Sequence, residues 1–267
     1  MNQHLEDRDM DAIERPVAPD ELRILEWPRR VRAMFAGRTV ADSNRVRLVL
    51  EPRHLPVYYF PGEDVERDVL IASPTRSRAA SKGEATHWHV RVGDRQVDDG
   101  AWSYAEPPGP AAAIAGHVAF YWEAIDRWFE EDDEVFVHPK DPYHRVDILN
   151  SSRHVRVEVD GVTVAESRRP RLLFETGLPI RYYLPKVDVR LDLLEVSDTV
   201  TRCPYKGTTE HFDARLGDHV VRDVAWSYPT PLTESSKIEN LVAFYNERVD
   251  LFVDGLLQPK PTTPWSR

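Results

Sequence analysis

The chain has one cysteine, Cys203, in the run Cys203-Pro204-Tyr205-Lys206-Gly207, with Arg202 before it and His211 beyond. Pro204 stiffens the run, and Gly207 permits a backbone angle closed to most residues. Flanking cations favour a thiolate over a thiol, and the thiolate is the nucleophilic form. His211 supplies a base if the following strand folds back. Read this way, Cys203, Lys206 and His211 are the catalytic candidates of a small-molecule hydrolase, lyase or transferase that needs no organic cofactor. The plainer alternative is a structural cysteine buried in a loop.

Part of this set occurs twice. Arg78, Lys82 and His87 have the spacing of Arg202, Lys206 and His211, whereas Ala79, Ala80 and Ser81 stand in place of Cys203, Pro204 and Tyr205. Two cations and an imidazole suit an anionic ligand, or negative charge developing in a reaction. Turn lysines and packed histidines are the alternative. Tyr182, alternating with Tyr183 along a strand, and the two Ala-Trp-Ser-Tyr blocks add aromatic rings. Trp102 with Tyr104, and Trp226 with Tyr228, should share a strand face, where they either wall a pocket or fill a core. The candidate ligand contacts are therefore Arg202, Tyr205, Asp213, Tyr182, Trp226 and Tyr228 in the later set, and Lys82, His87, Trp102 and Tyr104 in the earlier. His87 with His89, and His211 with Asp213, could begin a metal site, but a third ligand is not apparent and no metal or cofactor is expected. Only the later set has the Cys-Pro-Tyr triplet, so it is expected to carry the function. Lys206→Ala or His211→Ala should then abolish function at little thermal cost, and Lys82→Ala or His87→Ala should do less.

The elements that position these residues follow from an internal repeat. Shifted by 124 positions, the chain aligns to itself without a gap over 31–126, with about 40 identities in those 96 positions. Gly37 to Glu51 matches Gly161 to Glu175, and Val118 to Tyr121 matches Val242 to Tyr245. Two copies of one domain are implied. Val155, Val157 and Val159 alternate with charged residues, Asp160-Gly161 follows, and Val162 and Val164 resume, which reads as a hairpin. Gly93-Asp94 and Gly217-Asp218 mark further hairpins. Ser236 with Glu239 resembles a capping box, and Ile238, Leu241, Val242, Tyr245 and Val249 fall at helical spacing. Ile114, Val118, Tyr121 and Ile125 do the same in the first copy. The fold expected is α+β, mostly β: two similar tandem domains, each a curved antiparallel sheet or small barrel closed by a C-terminal helix. The divisions expected are an arm (1–28, with a short helix at Pro19 to Glu26), a first domain (29–127), a linker (128–152), a second domain (153–258) and a mobile tail (259–267).

Composition bounds the rest. The 35 Lys and Arg against 45 Asp and Glu leave a formal charge of −10, and 41% of residues are hydrophobic, enough for a core. Nucleic acid is not an expected partner, since its binding draws on neutralised phosphates; the Arg29, Arg30, Arg32 and Arg168, Arg169, Arg171 clusters read as charged strand edges. No apolar run reaches the ~20 residues of a spanning helix, and no signal-type segment opens the chain. A cytoplasmic protein is expected, as a monomer with a pseudo-twofold repeat or as a homodimer, acting on or binding a small molecule. Binding without turnover and a structural or partner-binding role remain as alternatives.

The blocks Arg181 to Glu195, Thr201 to Phe212, Asp223 to Leu232 and Val242 to Asp250 resemble those of domain-of-unknown-function family 427, and the likeness covers about 200 residues. It implies small β-rich domains, often bacterial and sometimes in tandem, and a fold rather than an activity. A nucleotidyltransferase label has been attached to that family, yet this chain has no Gly-Ser block followed by paired carboxylates. Zinc-binding tent-shaped β domains use cysteine pairs, which one cysteine does not supply.

Overall fold

The computed structural model describes residues 21–266. The chain divides into two units, Met1–Tyr143 and His144–Arg267. Among the described residues of the first, eleven strands run β1 (Arg23–Glu26), β2 (Val31–Phe35), β3 (Arg38–Ser43), β4 (Arg47–Leu50), β5 (Val57–Pro61), β6 (Leu70–Ala79), β7 (Gly83–Val92), β8 (Arg95–Tyr104), β9 (His117–Phe120), β10 (Arg127–Glu130) and β11 (Asp133–Val135). They form an antiparallel seven-stranded sheet, ordered β1-β4-β5-β9-β8-β7-β6, and a four-stranded sheet, ordered β11-β10-β2-β3. Alternation sends Tyr58 and Phe60 into a core with Val31, Ala33 and Trp128 of the small sheet. Tyr59 points the other way, into a second cluster with Tyr104, Ile114 and Ala119. The large sheet is therefore covered on both faces, and neither sheet closes into a barrel.

The second unit repeats this plan. Its strands are β12 (Val146–Asn150), β13 (Val155–Val159), β14 (Val162–Ser167), β15 (Arg171–Glu175), β16 (Arg181–Leu184), β17 (Leu194–Val196), β18 (Arg202–Cys203), β19 (Gly207–Thr208), β20 (Glu210–Leu216), β21 (His219–Ser227), β22 (Val242–Phe244), β23 (Asp250–Val253) and β24 (Leu256–Leu257). The sheet orders, β12-β15-β16-β22-β21-β20-β17 and β14-β13-β23-β24, match those of the first unit. The long β6–β7 hairpin is interrupted in this copy, leaving β18 and β19 as a separate two-stranded ladder. Asp160 and Gly161 both have positive φ, 48° and 78°, as the tight turn joining β13 to β14 requires.

Four expectations need correction. No closing C-terminal helix forms among the described residues: 3₁₀ turns at Gly109–Ile114 and Thr233–Ile238 lead into β9 and β22. Val242, Ala243 and Phe244 are all buried, so this strand reads as a continuous apolar run, which periodicity does not tell from a helix. The run beginning at Thr233 has no side-chain cap, so Ser236 and Glu239 do not form a capping box. The described end of the arm and parts of the linker also join the sheets. Arg23–Glu26 is a strand paired with β4, with Arg47 bonded to Glu26, rather than part of a helix; the start of that expected helix lies outside the described residues. Phe129 and Glu130 pair with β2, and Val146–Asn150 pairs with β15. The tail is tied down, because Thr263 donates to Glu247 at 2.6 Å and Arg248 donates to the Trp265 carbonyl at 3.2 Å.

Candidate functional site

Each domain holds a buried ion pair where the end of one strand meets a hairpin. Glu51 follows β4 and Lys82 precedes β7; Lys82 is 5% exposed, and its ammonium donates to Glu51. In the second domain Lys206, 8% exposed, donates to Glu175 at the end of β15. His144 Nε2 lies 3.0 Å from the other Glu175 oxygen, and Tyr205 stacks on the His144 ring at 4.2 Å. Burial alone would raise the Glu175 carboxyl, but the His144 hydrogen bond and the Lys206 charge outweigh it and hold the group below the ordinary carboxylate range. Neither lysine is therefore a free cation awaiting an anion.

The imidazoles lie beside hydroxyls. His87 Nε2 is 2.8 Å from Ser77 Oγ, and His211 Nε2 is 3.1 Å from Thr201 Oγ1. In both rings Nδ1 is buried without a hydrogen-bond partner. Burial lowers the His211 pKa, against the opposing pull of Asp223, so this ring is neutral at pH 7. Its Nε2 is occupied by Thr201, so the expected Cys203–His211 arrangement does not form. Cys203 is a half-buried free thiol on the β18 edge.

Asp213 has a different task from the one expected. Its oxygens accept from the Asp223 amide at 2.7 Å and from Arg222 at 2.6 Å. Asp223 sits at φ 45°, next to a register shift, and its counterpart Asp99, at φ 51°, donates its amide to His89 Nδ1. His89 and Asp213 thus brace one irregular strand turn in each copy and do not extend a metal site. Among the described residues no three His, Cys, Asp or Glu side chains form a metal-ligand group.

The aromatic residues form one arrangement twice. Trp102 Nε1 donates to Tyr59 at 3.0 Å, with the rings edge-to-face, and Trp226 donates to Tyr183 at 3.1 Å in the same geometry. Tyr121 lies against Trp102 with ring centres 4.4 Å apart, and Tyr245 lies against Trp226 at 4.5 Å. Those tyrosines also stack on His87 and His211. Burial and the Glu51 charge push the Tyr104 hydroxyl up to about 12, so it stays protonated. Tyr228 shares the second cluster with Tyr183 and Trp226. Tyr182 does not: it points into the opposite core, and Tyr183 takes the place expected of it.

The copies differ in what these rings enclose. In the first domain a cavity of about 540 Å³ is walled by Tyr59, Trp102, Tyr121, Trp122 and Trp128, with Glu51, Lys82, His87 and Glu123 in its lining. Val57 also lines it, and by the repeat Val57 corresponds to Arg181 and Glu123 to Glu247. Arg181 and Glu247 form a two-pronged ion pair, both bonds 2.7 Å, with side chains 7% and 0% exposed. The Arg181 guanidinium lies 5.5 Å from the Trp226 ring centre, 5.9 Å from Tyr245 and 5.8 Å from Trp265. Burial would raise the Glu247 carboxyl, yet Arg181 and Thr263 hold it below its usual range.

The structure thus gathers Lys82, His87, Trp102 and Tyr104 around one cavity, and Lys206, Tyr205, His211, Trp226 and Tyr228 into the matching region of the other domain. Arg202 is exposed on β18 beside Cys203. Sequence reasoning missed Glu51 and Glu175, Tyr59 and Tyr183, Tyr121 and Tyr245, His144, and the Arg181–Glu247 pair. The first three pairs were marked, because each is identical across the repeat.

Two tandem antiparallel-sheet domains, each with a buried Glu–Lys pair, a hydroxyl-bonded histidine and a Tyr–Trp–Tyr cluster, define a class of duplicated β-sheet protein. The family described as Domain of unknown function (DUF427) matches residues 23–131 and again 147–255, and the chain belongs to it as a tandem two-copy member. No curated protein matches the chain. Among the described residues no helix is long and apolar enough to cross a membrane.

Proposed function

We propose that the chain binds a small molecule in the cavity of its first domain, and that the second domain is a closed copy of that site. The observation that carries this reading is the pair of aromatic clusters with different interiors: a 540 Å³ cavity where Val57 stands, and a buried Arg181–Glu247 pair at the matching positions. A concave, largely aromatic site with a few polar groups is the usual form of a small-molecule pocket. His87 adds a buried nitrogen without a protein partner, a group that a ligand or water satisfies at a gain. This moves the site from the second repeat, where the buried Arg181–Glu247 pair takes the matching positions, to the first, where Val57 lines a cavity.

The test is a thermal-shift screen of small aromatic and charged compounds on the full chain, repeated on Val57→Trp. A compound that binds at a hundred times its Kd stabilises by about 2.7 kcal/mol, a shift of several degrees. Stabilisation should disappear in Val57→Trp, whose indole occupies the cavity. Hits unaffected by that substitution would place the site elsewhere.

A second reading has its own observation. Ser77 Oγ and His87 Nε2, 2.8 Å apart, have the contact of a serine nucleophile and its base, so the cavity could host cofactor-free hydrolysis. His87 Nδ1 lacks the orienting partner that completes a triad. A fluorophosphonate probe separates the two readings: covalent labelling of Ser77 that is lost in His87→Gln supports hydrolysis, and an unlabelled Ser77 leaves binding without turnover.

A further inference from the structure

The second domain also indicates which ligand chemistry suits the first. Its guanidinium, carried on Arg181, sits among the rings of Trp226 and Tyr245 and is held by the Glu247 carboxylate through two hydrogen bonds, one to each oxygen. The first domain keeps three of these four parts. Trp102 and Tyr121 have nearly the same mutual geometry as Trp226 and Tyr245, at 4.4 Å and 47° against 4.5 Å and 49°. Glu123 keeps the carboxylate of Glu247, lines the cavity, and makes no hydrogen bond or ion pair among the described residues. Only the cation is replaced, by the uncharged Val57.

We propose that the first-domain cavity binds a small organic cation with a flat guanidinium or amidinium head, seated against Trp102 and Tyr121 and paired with Glu123. Three physical reasons support the head group. The electron-rich faces of Trp and Tyr attract a cation, most strongly where water is partly excluded. A carboxylate pairs with a planar fork of N–H donors through two parallel bonds, which a round ammonium does not match. The neighbouring lysine does not oppose the cation, because Lys82 is already neutralised by Glu51. Arg53, also in the lining, is exposed, so solvent screens its repulsion as it weakens the pull of the exposed Glu123. The remaining aromatic wall, with Trp122 and Trp128, suits an apolar body behind the head.

This inference rests on the binding reading above, and one experiment separates their failures. The full chain is titrated calorimetrically with three probes of similar shape: benzylguanidinium, neutral benzylurea and anionic phenylacetate. Benzylguanidinium should bind at least about tenfold more tightly than benzylurea, and phenylacetate should not compete. Glu123→Gln should weaken benzylguanidinium about tenfold and leave benzylurea unchanged. Val57→Arg should abolish binding of the cation, because the variant supplies its own guanidinium as the second domain does. Benzylurea or phenylacetate binding as well as the cation, with loss in Val57→Trp, would overturn the cation proposal and leave the binding reading standing. Failure of all three probes to bind would overturn the cation proposal, and the thermal-shift screen then decides the binding reading by itself. If Val57→Arg does not fold, the Glu123→Gln comparison still decides, because that residue is exposed.

Discussion

Lys206 shows how burial changes what a motif means. As a residue beside the only thiol it looked like an exposed charge that folding could spare. In the structure it is 8% exposed and bonded to Glu175, which also meets His144 under the Tyr205 ring. Removing one partner of a buried ion pair leaves the other charge desolvated and uncompensated, at a cost of about 3–5 kcal/mol. Lys206→Met should therefore destabilise the chain by about 3 kcal/mol. Lys206→Met with Glu175→Gln should recover a large part of that loss, because no buried charge is left over. Urea denaturation of the two variants measures both. A single-mutant loss below about 1 kcal/mol would mean that water reaches the pair as it does a surface salt bridge. The outcome expected of Lys206→Ala from sequence, lost function with little loss of stability, is thus reversed on its thermal side.

At the scale of elements, what was legible depended on whether a local pattern had one physical cause. Hairpins were legible, because Asp160-Gly161 between alternating valines needs two left-handed residues and has them. The strand Val242–Phe244 was not, because burial on both faces removes the alternation that marks a strand. Glu51 and Glu175 match no motif: a single carboxylate at a strand end looks solvated until the fold brings a lysine to it. Arg181 lies where the repeat breaks, and a search for identities passes over such positions. The β18–β19 turn makes a further case, since its form depends on Gly207 at φ 108°. A Cβ there would come within 3.3 Å of the Thr230 carbonyl oxygen and 3.4 Å of the Leu232 amide, which itself donates to Lys206. Gly207→Ala is expected to cost about 2 kcal/mol and to speed iodoacetamide labelling of Cys203 as the turn loosens. Gly217→Ala is the control, with φ at 63° but open space around the added methyl. Equal effects from the two substitutions would assign the loss to backbone angle alone and remove the case for a tightly packed turn.

At the scale of the whole molecule, each domain is built on its own core, and the second has titratable groups whose environments act with one sign. His211 lies beside Thr201 and Tyr245, under the opposing influence of Asp223 and Arg248, and burial places its pKa below the ordinary 6.5. The unfolded chain therefore takes up this proton at a higher pH than the folded chain does. Stability from that source is complete above pH 6.5 and is lost as pH falls through the lower folded value. Glu175 and Glu247, both held below the ordinary 4.5 despite burial, act in the same direction at lower pH. Their contribution is complete above 4.5 and is lost as the buried pairs with Lys206 and Arg181 are protonated apart. The expected melting curve of the second domain declines in two limbs, a shallow one beginning below pH 6.5 and a steeper one below 4.5. His211→Gln should flatten the first limb and leave the second. Calorimetric melting of the full chain and of that variant between pH 2.5 and 8 reads both. A melting temperature that rises as pH drops from 7 to 5, and stops rising in His211→Gln, would mean that the fold favours the charged imidazole; the burial argument for His211 would then be wrong.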